Sequence, residues 1–207
     1  MNINVRDPGI GAVGDGVSDD YHALLRAARR VSGTRGTTLV FPPGTYGIGR
    51  YKRGGPNGNG ISDIVFENRR ELRIVGYGAR IEVKGDFHRP CDHQDGEHRY
   101  SYSDSVTPFV FSNCRRFQIE GFELNGNVDK MSRDPGVGEG NGFGIATYDC
   151  SDYVLSNMYI HRFQTDGMYL GGGILGGRER RDPYESYGRT GTPGCLGSYR
   201  PTARGRH

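Results

Sequence analysis

A chain of 207 residues with 35 glycines and only 34% apolar residues suits many short strands joined by tight turns, and it excludes a helical bundle. No run of 18 apolar residues occurs, so no helical membrane span and no membrane partner are expected. The formal charge of +3 is concentrated at the end: residues 178–207 hold seven Arg and three acidic residues, a net of +4, which leaves the first 177 at −1 (3 − 4) without the broad basic surface that a nucleic-acid partner requires.

The first residues, Met1-Asn2-Ile3-Asn4-Val5-Arg6, lack the apolar core of a secretory signal. Ser18-Asp19-Asp20 ahead of Tyr21 reads as a helix start, with Ser18 or Asp19 as cap and acids suited to the helix dipole. The helix is expected over about residues 19–31, with Leu24, Ala27, Ala28 and Val31 on one face and Gly33 just beyond its end. Asp15, Asp19 and Asp20 are read as turn and cap residues in preference to a metal site. Residues 37–41 form a strand, Pro42-Pro43-Gly44 turns, and 45–48 form the next strand. A helix with one apolar face, placed ahead of strands, suits covering the open end of their core, so residues 1–48 are read as a capping module.

Three windows then repeat: residues 68–77, 113–122 and 149–158. Each begins with Asn68, Asn113 or Asp149, alternates apolar with polar residues, and meets Gly76, Gly121 or Asn157, types that adopt a left-handed backbone at low cost. Alternation resumes through Tyr77, Ala79 and Ile81, through Phe122 and Leu124, and through Met158 and Ile160. Strand, bend and strand in repetition describe the coils of a β-solenoid over 49–176, with Leu72, Phe117 and Tyr153 in one interior column. A second ladder sets Asn141-Gly142-Phe143-Gly144-Ile145 against Asp166-Gly167-Met168-Tyr169-Leu170, an offset of 25 (166 − 141). The windows themselves are 45 and 36 residues apart (113 − 68 and 149 − 113), which requires inserted loops at about 86–105 and 127–140. Neither loop has a strand or helix period.

Cys114 and Cys150 hold the same place in two windows and are expected to stack about one strand spacing (~4.8 Å) apart, as thiols or as a disulfide. Residues 177–207 lack Val, Ile, Phe and Met; they read as a natural disordered tail or as the aberrant end of a truncated or frame-shifted sequence.

Asn4-Val5-Arg6-Asp7, then Gly11-Ala12-Val13-Gly14-Asp15-Gly16-Val17-Ser18-Asp19-Asp20, the helix, and Val40-Phe41-Pro42-Pro43-Gly44-Thr45-Tyr46 resemble, in this order, the entry module of the pectate-lyase-like superfamily. That superfamily includes rhamnogalacturonase and epimerase-type domains, polygalacturonase relatives and phage tailspikes. The resemblance is specific over residues 4–48 and continues as coil pattern to about residue 175. It implies an all-β fold, a right-handed parallel β-helix (solenoid) with one N-terminal capping α-helix. It also implies an extracellular protein with a polysaccharide substrate or ligand. One departure is Pro8-Gly9-Ile10 after Asp7, where relatives usually have a single aromatic residue.

Gln164-Thr165-Asp166-Gly167 resembles the Asn-Thr-Asp-Gly motif that holds a catalytic carboxylate in polygalacturonase relatives, which makes Asp166 the catalytic candidate. The family's later Asp-Asp, Gly-His-Gly and Arg-x-Lys pieces do not follow, and an Asp-Gly turn forms for backbone reasons alone. His161 and Arg162 are candidates for contacting a uronate carboxylate, the alternative being solvent-facing strand residues. In the 86–105 loop, Phe87, Tyr100 and Tyr102 are of a type that stacks on sugar rings. Residues 91–98 hold metal-capable groups, but their spacing matches no zinc site, and lyase calcium sites use clustered carboxylates. No metal site and no cofactor are assigned, with calcium entering only for a lyase. The function expected is a polysaccharide-active β-helix protein, hydrolase or lyase-like on uronate-containing glycans, inactive if truncated. The alternative is a non-catalytic carbohydrate-binding or tailspike-like β-helix.

Overall fold

The computed structural model describes residues 1–31, 36–49, 52–53, 60–84, 91–95, 98–102, 106–130 and 142–171, with only the backbone at 52–53, 60–61, 91–95 and 98–102. Short strands open the chain: β1 (Asn2–Asn4), β2 (Asp15–Asp19), helix α1 (Tyr21–Arg30), β3 (Thr38–Val40), β4 (Gly44–Ile48), and the paired β5 (Lys52–Arg53) and β6 (Gly60–Ile61). Then come β7 (Val65–Glu67), β8 (Arg73–Val83), β9 (Cys91–Asp95), β10 (His98–Tyr102), β11 (Phe109–Ser112) and β12 (Gln118–Asn125). The last described strands are β13 (Ile145–Tyr148), β14 (Val154–Ser156), β15 (Tyr159–His161) and β16 (Met168–Leu170).

Parallel strands from successive repeats lie on one another in three stacks. β1, β3, the first part of β8, the first part of β12 and β14 make one; β2, β4, the later parts of β8 and β12, and β15 make the second. β7, β11, β13 and β16 make the third. Period-two alternation fixes which face is buried, because a one-residue slip would turn every side chain over. Register sets Ile74 on Ile119 on Leu155, and Ile81 on Leu124 on Ile160. The Leu72, Phe117 and Tyr153 column is present as well: the Gln118 amide donates to Leu72 and the Val154 amide to Phe117, and the Phe117 and Tyr153 rings stack at 4.9 Å.

The turns leaving the third stack use left-handed residues at two columns. Asn68, Asn113 and Asp149 (φ 58, 50 and 51) form the first, with the Asn113 side-chain amide donating to Asn68 Oδ1 at 2.6 Å. Glu71, Arg116 and Asp152 form the second, where the Glu71 and Arg116 amides donate to Arg115 and Ser151 of the next repeat and Arg116 pairs with Glu71 at 3.0 Å. The second column has no Asn or Gly signature, which is why the sequence does not announce it.

Two expected alignments shift. Gly76 does not bend the chain; a Cβ there would lie 2.3 Å from the Phe122 ring, so glycine makes room for that ring. The bend falls at Gly78 (φ 78), two residues later, and Ala79 instead of Tyr77 pairs with Phe122, leaving Tyr77 exposed. In the second ladder, Ile145 pairs with Met168, an offset of 23 (168 − 145) in place of 25. Gly144 thus meets Gly167, its amide donating to the Gly167 carbonyl at 3.0 Å.

α1 buries Tyr21, Ala23, Leu24, Ala27 and Ala28 in the same apolar cluster that runs from Ile3 to Ile145. Its N-cap residue is Asp20, not Ser18 or Asp19; Asp19 Oδ1 accepts the Tyr21 amide, and Asp20 is turned toward the strands. Ile10, in the departure after Asp7, is buried in that cluster between Gly9 and Gly11, both at positive φ. The 86–105 insertion carries an antiparallel pair, β9 with β10. Residues 131–141, including Asn141, lie outside the described residues, as do Gly33, Phe87, Cys195 and the 177–207 tail.

Candidate functional site

β8, β12 and β15 alternate inward and outward side chains, and their register builds two outward columns beside the buried Ile81 and Leu124 and the half-buried Ile160. Arg80, Glu123 and Tyr159 form one column; Glu82, Asn125 and His161 form the other. His161 Nε2 and Glu123 Oε1 are 3.1 Å apart, and the imidazole stacks on the Tyr159 ring at 4.3 Å and 19°. Arg80 Nε lies 3.4 Å from the same Glu123 oxygen as an ion pair without hydrogen-bond alignment.

Below them, Glu82 accepts a hydrogen bond from Asn127 Nδ2 at 2.8 Å. Asn127 Nδ2 also donates to the Val83 carbonyl, and Asn125 Nδ2 donates to Asn127 Oδ1 at 2.9 Å. Both asparagines are buried, so this network is a rigid floor. Arg162 follows β15 in a left-handed conformation (φ 58), its carbonyl accepting the Val128 amide, and its guanidinium pairs with Asp129. Tyr159 is 63% exposed. An imidazole held by a carboxylate is a proton acceptor or donor, arginines bind carboxylates, and an exposed aromatic ring suits a sugar face.

The structure thus brings His161 and Arg162 to one surface, and it does not bring Asp166 there. Asp166 sits in the turn before β16, in the third stack, where its main-chain carbonyl accepts from the Gly144 amide. The Thr165 amide donates to the Gly142 carbonyl, and the Gly142 amide donates to Thr165 Oγ1. The turn is therefore held by its backbone and by Thr165. Among the described residues, no hydrogen bond or ion pair joins the Asp166 carboxylate to Glu123, His161 or Arg162.

Arg80, Glu123, Tyr159 and Asp129 are site residues that the sequence reasoning missed. The signal available was alternation: Arg80, Glu82 and Glu123 occupy polar positions flanking Ile81 and Leu124. A second unforeseen feature is the outer face of the third stack, where Val65, Val110, Ala146 and Tyr169 are register partners, Val110 and Ala146 being buried beneath half-buried neighbours. Phe143 and Tyr148 lie against Tyr169 at 5.4 and 5.5 Å. β11 reads Phe-Val-Phe without alternation, the mark of a strand apolar on both faces.

No family model matches the sequence. Two mannuronan C5-epimerases of Azotobacter vinelandii, AlgE1 and AlgE3, are 29% and 28% identical to this chain over 132 residues. That stretch is 64% of this chain but only 8% and 6% of the two relatives, so the chain spans a small part of their length. Among solved structures, Geobacillus virus E2 ORF18 has a TM-score of 0.47 at 18% identity, over 77% of this chain and 26% of that one. The A-module of the Azotobacter vinelandii epimerase AlgE4 has a TM-score of 0.42 at 18% identity, over 84% of this chain and 50% of that one.

Outside this surface, the N-terminal carboxylates serve the backbone. Asp15 accepts from the Val17 and Ser18 amides and the Ser18 hydroxyl, which holds it down at about 2. Asp20 accepts from Val13, Gly14 and Gly47. Among the described residues no three His, Cys, Asp or Glu side chains converge as a metal site, so no step is assigned to calcium; the side chains of 91–95 lie outside the described set. Among the described residues no helix is long and apolar enough to cross a membrane.

Cys114 and Cys150 are free thiols in a ladder: the Arg69 amide donates to Cys114 Sγ and the Cys114 amide to Cys150 Sγ. The hydrogen bond with Cys150, then burial, push the Cys114 thiol up.

Proposed function

We propose that the chain is part of a right-handed parallel β-helix protein, acting outside the cell, that binds and acts on a uronate-containing polysaccharide. In this reading residues 1–48 are the entry cap, 49–176 the coils, and 177–207 a basic tail. The observation that carries it is the outward surface of β8, β12 and β15, where an imidazole–carboxylate pair (His161 with Glu123) lies beside Arg80 and near an exposed Tyr159. Removing a proton beside a sugar carboxylate needs a base and a cation to hold the developing charge. That favours lyase- or epimerase-type chemistry, with His161 as the base, over hydrolysis, which needs two carboxyl groups flanking the bond. The sequence similarity to mannuronan C5-epimerases, whose name specifies a polyuronate, supports the same substrate class. Asp166 stays in this proposal as the second catalytic candidate, on the third stack, and calcium only as an additive to be tried.

A second reading, carbohydrate binding without turnover, is favoured by the outer face of the third stack. There the half-buried Val65, Tyr148 and Tyr169, packed over the buried Val110, Phe143 and Ala146, offer a sugar ring contact area without a carboxyl–imidazole pair among the described residues. The test is incubation with polygalacturonate, rhamnogalacturonan and alginate, with and without calcium. Reducing ends, new double bonds and C5 inversion are followed alongside retention on each polymer. Turnover lost in His161→Ala supports the first reading. Retention without turnover supports the second, and neither retention nor turnover rejects both.

A further inference from the structure

We propose that Glu123 and Asp129 are stand-ins for substrate carboxylates: they occupy Arg80 and Arg162 in the free protein, and two uronate carboxylates of a bound chain displace them. The proposal rests on the polyuronate reading above and specifies how that surface selects its ligand.

Among the described residues, locked and exposed ion pairs can be told apart. Arg73 donates to Glu120 at 2.8 Å, the Glu120 side chain is only 8% exposed, and its second oxygen accepts the Tyr77 hydroxyl at 3.1 Å. Asn157 Nδ2 in turn donates to the Tyr77 oxygen, so three repeats are tied together there. That carboxylate is locked. Glu123 and Asp129 differ, with side chains 36% and 65% exposed facing arginines 37% and 40% exposed. Exposed pairs of this kind add little to stability, so a substrate carboxylate can take over each guanidinium at small cost, Glu123 keeping its contact with His161 and Arg80 its longer pair with Glu82 at 4.0 Å.

Placement supports the exchange. Arg80 and Tyr159 flank Glu123 in one register column, two repeats apart, and Arg162 leaves the end of β15 only three residues after Tyr159. Arg80 is thus offset from Tyr159 across the stack and Arg162 along the chain, and the exposed Tyr159 ring stacks on His161. A pyranose on Tyr159 would have one carboxylate-binding cation across the stack and another along the chain. A neutral glycan offers the arginines nothing in exchange for Glu123 and Asp129, and a methyl-esterified polyuronate has lost the charge. Selection for free carboxylates follows.

The test is calorimetric titration of the full chain with oligomers of mannuronate and of galacturonate, and with the methyl ester of the latter. Thermal melts confirm that each variant folds. Removing a stand-in should tighten binding: Glu123→Gln and Asp129→Asn by about two- to fivefold each, the worth of one exposed ion pair. Arg80→Gln and Arg162→Gln should weaken it about tenfold each, and the ester should bind more weakly than the free acid. If both acid-to-amide variants bind no tighter than wild type, the stand-in role is overturned. If the arginine variants bind as wild type does, the site is overturned while the polyuronate reading survives. Failure of wild type to bind either free oligomer overturns that reading and this inference with it.

Discussion

Asp20 and Gly47 hold each other by two hydrogen bonds of opposite direction. The Asp20 amide donates to the Gly47 carbonyl at 2.7 Å, and the Gly47 amide donates to Asp20 Oδ2 at 3.3 Å. The same carboxylate accepts from the Val13 and Gly14 amides, so one buried side chain fastens the start of α1, the loop before β2 and β4. Asp20→Ala leaves those buried donors without an acceptor and is expected to cost about 3 kcal/mol, with Asp20→Asn costing less. Urea unfolding of the two variants measures this; a loss below about 1 kcal/mol in the alanine variant would show that the fastening is dispensable.

Asp15 gives a pH signature. Its folded-state value of about 2 lies below the ordinary 3.8, so the unfolded chain takes up this proton first as the solution is acidified. The stabilisation is complete above 3.8 and is lost as pH falls toward about 2. The gap in urea midpoint between wild type and Asp15→Ala should therefore be constant above that window and close within it. A gap that persists at the acid end contradicts the turn role.

Gly121 has φ 83, and a Cβ there would lie 2.8 Å from the Tyr77 ring and 2.9 Å from the Tyr77 amide nitrogen. Gly121→Ala combines a left-handed alanine, about 1–2 kcal/mol, with a backbone contact that cannot rotate away. A loss of roughly 2 kcal/mol or more in thermal or urea unfolding is expected, against little change for Gly36→Ala beyond its own φ of 64, since nothing lies within 4 Å there.

The repeat itself was legible because strand, bend and apolar column recur in the sequence, and residues such as Ile74, Ile119 and Leu155 have no other way to be buried together. What misled was glycine, which serves two ends. Gly121 bends the chain, whereas Gly76 only yields space to Phe122, and the two look alike until the neighbouring repeat is in place. The same ambiguity put Gly142 against Gly167 when Gly144 is the partner. His161 and Arg162 were legible as polar residues flanking a strand. Their partners Glu123 and Asp129 were not, being 38 and 33 residues away and brought close only by stacking.

The thiols provide a check on packing. Cys114 is fully buried, donates to the Phe66 carbonyl at 3.2 Å and has its thiol pushed up, whereas Cys150 is half-buried in the last of the three repeated windows. Iodoacetamide should label Cys150 before Cys114 in the native protein, with peptide mass mapping as the readout. Equal labelling rates would mean that this part of the stack opens.

All of the surface chemistry depends on Ile81, Leu124 and Ile160 lying one above another, since that alignment sets Arg80, Glu123 and Tyr159 in a column. A methyl NOESY spectrum of the selectively labelled protein tests it most directly. Cross-peaks from Ile81 to Leu124 and from Leu124 to Ile160 are expected. Well-dispersed methyl signals that lack both contacts would contradict the stacking, and the glycan surface along with it.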